Sequence, residues 1–277
     1  MGVTARGLLD LTRPVNAIAA GSLTAIGAVV AGAGTQYVPV ATATVTTVLA
    51  VAAGNAINDY FDREIDSINR PDRPLPRGEV SPRGALAFAV ILFGLATALA
   101  LTLPLVAIVI AGINLAALVA YTELFKGLPG VGNAIVAYLV GSTFLFGGAA
   151  VGKLEGVVVL AFLAAASTFT REVIKDVEDI VGDREEGLRT LPIVLGERRS
   201  LWVATAVLGV AVAASPLPYL LDVFGVVYLI LVVPADAVML SACYESFSDP
   251  TDGQTHIKYG MFLAAGAFVV GRAVAVG

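Results

Sequence analysis

Long apolar runs broken by short polar stretches fill most of this 277-residue chain. Nine runs can be drawn, at roughly 15–34, 38–57, 85–103, 105–122, 132–150, 155–171, 201–221, 223–243 and 259–276. Each is near the length of about 20 residues that carries a helix across a bilayer. The 155–171 run is the shortest. The pattern predicts an all-α integral membrane protein, a single transmembrane domain over residues 1–277. The first run has an arginine flank and small residues, as a signal peptide does. It is too long for one, and further spans follow, so a retained helix is expected. The opening MGVTAR does not match a myristoylation signal, because Arg6 stands at the Ser/Thr position.

Composition agrees with the pattern. The chain is 57% hydrophobic and 14% charged, where a soluble domain carries about 25% charged residues. Charge placement then orients the spans. With the N-terminus in the cytoplasm, every one of the 17 Lys and Arg residues except Lys153 and Arg272 falls on the cytoplasmic side. That is a strong positive-inside bias, and an odd number of spans is needed to keep it. A multi-pass cell-membrane protein is expected, with its N-terminus inside. The net charge of −5 comes largely from acids in two inside segments and points to no nucleic-acid partner. Cys243 is alone, so no disulfide forms within the chain. The single His256 excludes a multi-histidine metal site and is expected in the polar loop before the last helix.

Two inside segments are long enough to house chemistry, about 58–84 and 172–200. The first reads NDYFDREIDSINRPDRPLPRG from Asn58 to Gly78. On a helix, steps of three and four bring side chains to one face. Asp59, Asp62 and Asp66 then align, and Asn58, Asp62 and Asp66 form a second row. Clustered carboxylates repel unless a cation sits among them. Hard oxygen ligands suit Mg²⁺, which keeps several waters and bridges to substrate phosphates. Arg70, Arg73 and Arg77 follow, spaced by prolines that prevent a regular helix. Arginine forks match phosphate oxygens. Arg73 and Arg77 are expected to fold back over the acidic helix end. Metal ligands beside phosphate-binding arginines suggest a diphosphate site.

The second segment repeats this logic. Asp176, Asp179 and Asp183 keep the spacing of the first triad, Glu172 falls one turn earlier, and Arg184 and Arg189 follow. Two solvated helix ends are the plain alternative. They leave the matched spacing, the shared face and the trailing arginines unexplained, and six clustered carboxylates still require cations.

These motifs resemble the UbiA-type intramembrane prenyltransferases. That family carries a first motif NDxxDxxxD and a second DxxDxxxD, here at Asn58–Asp66 and Asp176–Asp183. The RPLPxG run at Arg73–Gly78 and the TLPxxxG run at Thr190–Gly196 are similar to the family as well. The resemblance implies a bundle of nine transmembrane helices around a central cavity that opens laterally to lipid. It also implies two Mg²⁺ ions between the motifs, held by Asn58, Asp62, Asp66, Asp176, Asp179 and Asp183, with Asp59 among the catalytic carboxylates. The donor would be an isoprenyl diphosphate. The PAD run at 234–236, HIKYGMFLAAGAF at 256–268 and YTELFKGLPGVGN at 121–133 look most like an archaeal branch that builds glycerol ether lipids. That branch implies geranylgeranyl diphosphate as donor and geranylgeranylglyceryl phosphate as acceptor. An aromatic quinone precursor is the alternative acceptor.

Further residues are candidates for substrate binding, each with a simpler reading beside it. Tyr121 and Lys126 match family positions at the fourth span's inner end, and Lys126 either holds a diphosphate oxygen or snorkels. Arg13 and Asn16 open the first span, where Arg13 either reaches an acceptor phosphate or is a topogenic charge. Asp236 lies in the inner half of the eighth span, either facing the site or satisfied by a structural partner. An ion-coupled transporter would place its carboxylates near the bilayer midplane, and here nearly all of them gather at one face.

Overall fold

A computed structural model describes residues 3–121, 125, 128–185 and 187–276. Among these residues the chain is helical and contains no strand. Each apolar run falls on a helix. The first is α1 (Ala5–Thr12) and α2 (Pro14–Val30), then come α3 (Tyr37–Phe61), the short α4 (Arg63–Asn69), α5 (Pro82–Ala100), α6 (Leu105–Ala120), α7 (Val131–Ala150) and α8 (Val157–Glu178). The second half holds the short α9 (Ile180–Glu185) and α10 (Leu191–Leu195), then α11 (Glu197–Ala214), the one-turn α12 (Leu217–Leu220), α13 (Val226–Glu245) and α14 (Pro250–Val276).

Seven of the described helices are long and apolar enough to cross a membrane, or eight if α1 and α2, bent by 46°, count as one span. The expected nine are not reached by this measure. The shortfall is α6, whose 16 residues rise about 24 Å against a hydrocarbon core of about 30 Å.

The outer surface is apolar, with Val38, Trp202, Ile230 and Phe262 all more than half exposed, as lipid-facing positions require. Small residues carry the interior instead. Where α2 crosses α7, a Cβ on Gly27 would meet the Phe144 carbonyl oxygen at 2.3 Å, and one on Gly147 would meet the Thr24 oxygen at 2.0 Å. The two backbones touch there, the close approach that small residues permit between membrane helices. Around this contact Ala28, Phe144, Leu160, Tyr228 and Phe268 form the largest apolar core. A second core of Val173, Ile174, Leu201, Leu208, Met239 and Ile257 packs α8 against α11, α13 and α14.

The packing leaves one side less filled. α3 lies along α5, and α6 lies along α7. Between these pairs runs an apolar cleft of about 330 Å³, lined from Thr46 to Asn58 on α3 and also by Phe93 and Ala100 of α5, Leu115 of α6 and Phe146 of α7.

Candidate active site

Both acidic segments leave the bundle in the same way. α3 ends at Phe61, Asp62 takes φ −81° and ψ 4°, and α4 begins at Arg63. α8 ends at Glu178, Asp179 takes φ −87° and ψ 4°, and α9 follows. The hydrogen-bond ladder runs through each break. Asp62 N–H donates to Asn58 O at 2.8 Å and Asp66 N–H to Asp62 O at 2.8 Å, while Asp179 N–H donates to Lys175 O at 2.9 Å and Asp183 N–H to Asp179 O at 3.0 Å. Each triad therefore spans a kink, which corrects the expectation of one continuous helical face. The middle aspartate of both motifs caps one helix and opens the next.

The first motif is buried and held by arginines. Asp59 is only 2% exposed and Asp66 5%. Arg73 Nη1 donates to Asp66 Oδ2 at 2.5 Å and to Asp59 Oδ1 at 3.4 Å. Its position comes from the proline-spaced segment, which turns back on itself through Arg73 N–H to Arg70 O and Arg77 N–H to Arg73 O. Leu75 and Val80 then anchor it on Leu11 and Ala56. Arg13 reaches the same carboxylate from the other side, Nη2 donating to Asp59 Oδ1 at 2.5 Å. It does so from the α1–α2 bend, where its φ of +47° is left-handed, a strained conformation for a non-glycine residue of the kind found at functional sites. Asn55 Nδ2 donates to Thr12 O at 2.9 Å and ties this bend to α3.

In the second motif Asp176 Oδ2 accepts from Asn133 Nδ2 at 2.8 Å, so the first turn of α7 is fixed to the acidic end of α8. Glu172 accepts from Arg171 at 2.8 Å. Glu178, next to the break, accepts from Thr251 and Gln254 at 3.0 and 3.1 Å, joining α14 to the same end. Tyr121, just past α6, feels the charge of Glu172 and Asp176 in one motif and of Asp62 in the other. Carboxylates of both segments therefore lie within electrostatic reach of Tyr121. Asn58, the first residue of the acidic run, lines the inner end of the apolar cleft.

Several expected residues stand elsewhere. Arg77 does not fold over the acidic end. It pairs with Asp10 at 2.8 Å and Glu79 at 3.0 Å, and the hydrogen bond to Asp10 raises its already high pKa. Asp236 accepts from Ser215 Oγ. Ser215 follows the last residue of α11, whose 18 residues rise about 27 Å from Gly196, so this pair turns away from the motifs. His256 lies inside α14 rather than in a loop, with Nδ1 2.6 Å from Glu245 Oε2. Asn16 is exposed on α2. Lys126 lies outside the described residues.

Two site residues escaped the sequence reading. Asn133 counted only as part of a local likeness, and Asn55 did not count at all. Both had a signal: each is an amide at the membrane-facing end of an apolar run, and Asn55 stands four residues before Asp59 on the same helical face.

Two matched acidic helix breaks in an α-helical membrane bundle, one of them beginning at the end of an apolar cleft, define a membrane protein suited to hold a charged head and a long apolar tail. The UbiA prenyltransferase family model matches residues 20–266, and the chain belongs to that family. It is 65% identical over 272 residues to digeranylgeranylglyceryl phosphate synthase of Natronomonas pharaonis, covering 98% of both chains. It is 44% identical to the synthase of the same name from Methanopyrus kandleri, covering 95% of this chain and 98% of that one. A solved structure reported for digeranylgeranylglyceryl phosphate synthase in membranes superposes with a TM-score of 0.88 at 37% identity, covering 96% of this chain and 98% of that one. A UbiA homolog from Archaeoglobus fulgidus bound to GPP and Mg²⁺ shares the fold, with a TM-score of 0.71 at 17% identity over 98% of this chain and 99% of that one.

Proposed function

We propose that this protein is a Mg²⁺-dependent prenyltransferase that joins the geranylgeranyl group of geranylgeranyl diphosphate to the free hydroxyl of geranylgeranylglyceryl phosphate. The observation that carries the reading is the pair of matched acidic helix breaks, at Asp62 and at Asp179, the first of them starting from Asn58 at one end of an apolar cleft. The relatives of near full length that bear the synthase name support the acceptor.

Among the described residues no three His, Cys, Asp or Glu side chains converge on one point. That suits Mg²⁺, which is held by one or two carboxylates while water and phosphate oxygens complete its shell. One ion would draw its one or two carboxylates from Asp62 and Asp66, with Asn58 beside them, and a second from among Asp176, Asp179 and Asp183. Bound there, the metal supplies Lewis-acid neutralisation of the leaving diphosphate.

The chain's own groups do the rest. Arg73 spends Nη1 on Asp59 and Asp66, and the remaining edge of its fork would take a diphosphate oxygen. The cleft receives the prenyl tail and keeps water from the allylic carbon. The bond between that carbon and the diphosphate oxygen breaks, and its electron pair leaves with diphosphate. The acceptor hydroxyl oxygen then bonds to the carbon and gives up its proton to a carboxylate or diphosphate oxygen. The products are the ether lipid phosphate and diphosphate.

The reading extends to topology. With the α1–α2 pair as one bent span and α6 as a short one, the bundle has nine spans, with the N-terminus and both acidic segments in the cytoplasm. The direct test supplies purified protein with labelled geranylgeranyl diphosphate, Mg²⁺, geranylgeranylglyceryl phosphate and hydroxybenzoate together. The expected product is the doubly prenylated glyceryl phosphate, lost on chelation. Prenylation of the aromatic ring with the glycerol lipid untouched overturns the acceptor assignment.

A further inference from the structure

At the end of the bundle opposite the acidic motifs, two cations from distant parts of the chain meet on one turn. Asn133 at the start of α7 is bonded to Asp176, and the 20 residues of α7 rise about 30 Å, so Lys153 just beyond them lies at the far end. Gln254 at the start of α14 is bonded to Glu178, and Arg272 lies about 27 Å further along that helix. These are the two cations that the hydropathy pattern separates from all the others.

Both arrive at Gly32, in the turn between α2 and α3. Lys153 Nζ donates to Gly32 O at 3.3 Å. Arg272 packs its guanidinium on the other side of the same residue, where a Cβ would meet Nη2 at 1.9 Å. Gly32 has a φ of +79°, so it supplies both the turn and the seat that a side chain would fill. Among the described residues neither cation makes an ion pair, and Arg272 Nε is buried without a hydrogen-bond partner. Two positive charges on one turn, neither of them in an ion pair, favour an anion, and a buried guanidinium N–H without an acceptor adds to the demand.

A groove of about 600 Å³ begins beside Lys153, lined by Gln36, Val38, Thr42, Thr102, Pro104 and Gly152. It lies at the same end of the bundle, among the α2–α3, α5–α6 and α7–α8 connections, with a lining part apolar and part polar. Phosphate at the interface with a hydrocarbon chain below it is the chemistry of a membrane lipid. We propose that Lys153 and Arg272 bind the phosphate of an anionic lipid in the leaflet opposite the active site, with one of its chains in the neighbouring groove. The site is separate from prenyl transfer and does not depend on that reading.

The test measures thermal unfolding of the full chain in neutral detergent during titration with dioctanoyl phosphatidylglycerol, dioctanoyl phosphatidylcholine or inorganic phosphate. The anionic lipid should raise Tm at a half-saturating concentration at least about tenfold lower than the zwitterionic lipid, since basic side chains near the membrane surface attract anionic headgroups. Inorganic phosphate should produce no comparable shift. The Lys153→Gln/Arg272→Gln double variant should lose the preference. Because Arg272 is packed, Lys153→Glu serves as a second variant on an exposed side chain and should lose most of it. Retention of the preference in Lys153→Glu, an equal response to both lipids in the parent protein, or a full response to phosphate alone each overturns the proposal.

Discussion

Asp62 and Asp179 stand in the same backbone geometry, each past the last core residue of its membrane helix, Ala56 and Val177. Neither is needed to pack that core, so Asp62→Asn and Asp179→Asn should keep the parent Tm. Each removes a charge that the leaving diphosphate needs. Turnover should fall by roughly 10²–10³ or more, the usual loss when one transition-state charge contact is removed. Near-parental rates in either variant would defeat the two-motif site. Asn133 donates to Asp176, and if Asp176 holds metal this bond orients it from outside the shell. Removing a partner that orients a ligand typically costs 10–100-fold in metal affinity. Asn133→Ala should therefore need about tenfold more Mg²⁺ for half-maximal rate, with the rate at saturating Mg²⁺ largely restored. A drop that Mg²⁺ cannot rescue would assign Asn133 a different role. The two arginines of the proline-spaced segment should separate sharply. Arg73→Lys keeps the charge that Nη1 brings to two buried carboxylates but loses the second edge of the fork, and should impair turnover, while Arg77→Lys replaces a half-exposed cation paired with Asp10 and should leave turnover close to the parent. Equal loss in both would show that Arg77 moves to the site during catalysis.

At the scale of the element, the helix crossing between α2 and α7 sets how the first half of the chain meets the second. Gly27→Leu would drive a side chain into the Phe144 backbone, where no rotamer change makes room. The cost should be at least about 2 kcal/mol, read as a lower Tm and a loss of extractable protein. Gly94→Leu, on α5 with open space around its Cβ position, is the control and should be tolerated. The apolar runs made these helices legible, because span length and hydropathy are local properties of the chain. The acid spacing was legible for the same reason. The kinks at Asp62 and Asp179 were not, since the i→i+4 ladder continues through them and nothing in the residue types marks a break. The target of Arg73 was legible and that of Arg77 was not. Both are arginines after prolines, and only the docking of Leu75 and Val80 onto Leu11 and Ala56 decides which one faces the acids. Asp236 misled for a related reason. Depth along a span can be read from sequence, but the direction of the side chain depends on α11 ending at Ser215.

For the whole molecule, the decisive feature is a cleft that starts at the charged end and runs along α3 toward the opposite leaflet. From Asn58 to Thr46 it follows twelve residues of helix, about 18 Å. Small side chains line its far part, including Ala96 and Ala100 on α5. Both are nearly buried, at 4% and 5% exposed, so bulk added there would project into the cleft or strain α5. If the prenyl tail occupies this space, the far end should feel only long donors. Ala100→Phe should then reduce use of geranylgeranyl diphosphate strongly while geranyl diphosphate, whose tail ends nearer Asn58, is used as well as before. Filling a well-packed cavity by several methylenes costs about 1–3 kcal/mol, so the ratio of kcat/KM values for the two donors should shift by roughly tenfold or more toward the short one. The ratio is the useful quantity, because any general loss from strained packing lowers both rates and cancels. Gly54, at the inner end against Leu118, provides the opposite case. Gly54→Ala should slow both donors alike, since both tails must pass it. An unchanged donor ratio in Ala100→Phe would mean that the tail leaves the cleft before α5 ends, through the weakly packed side between α5 and α6.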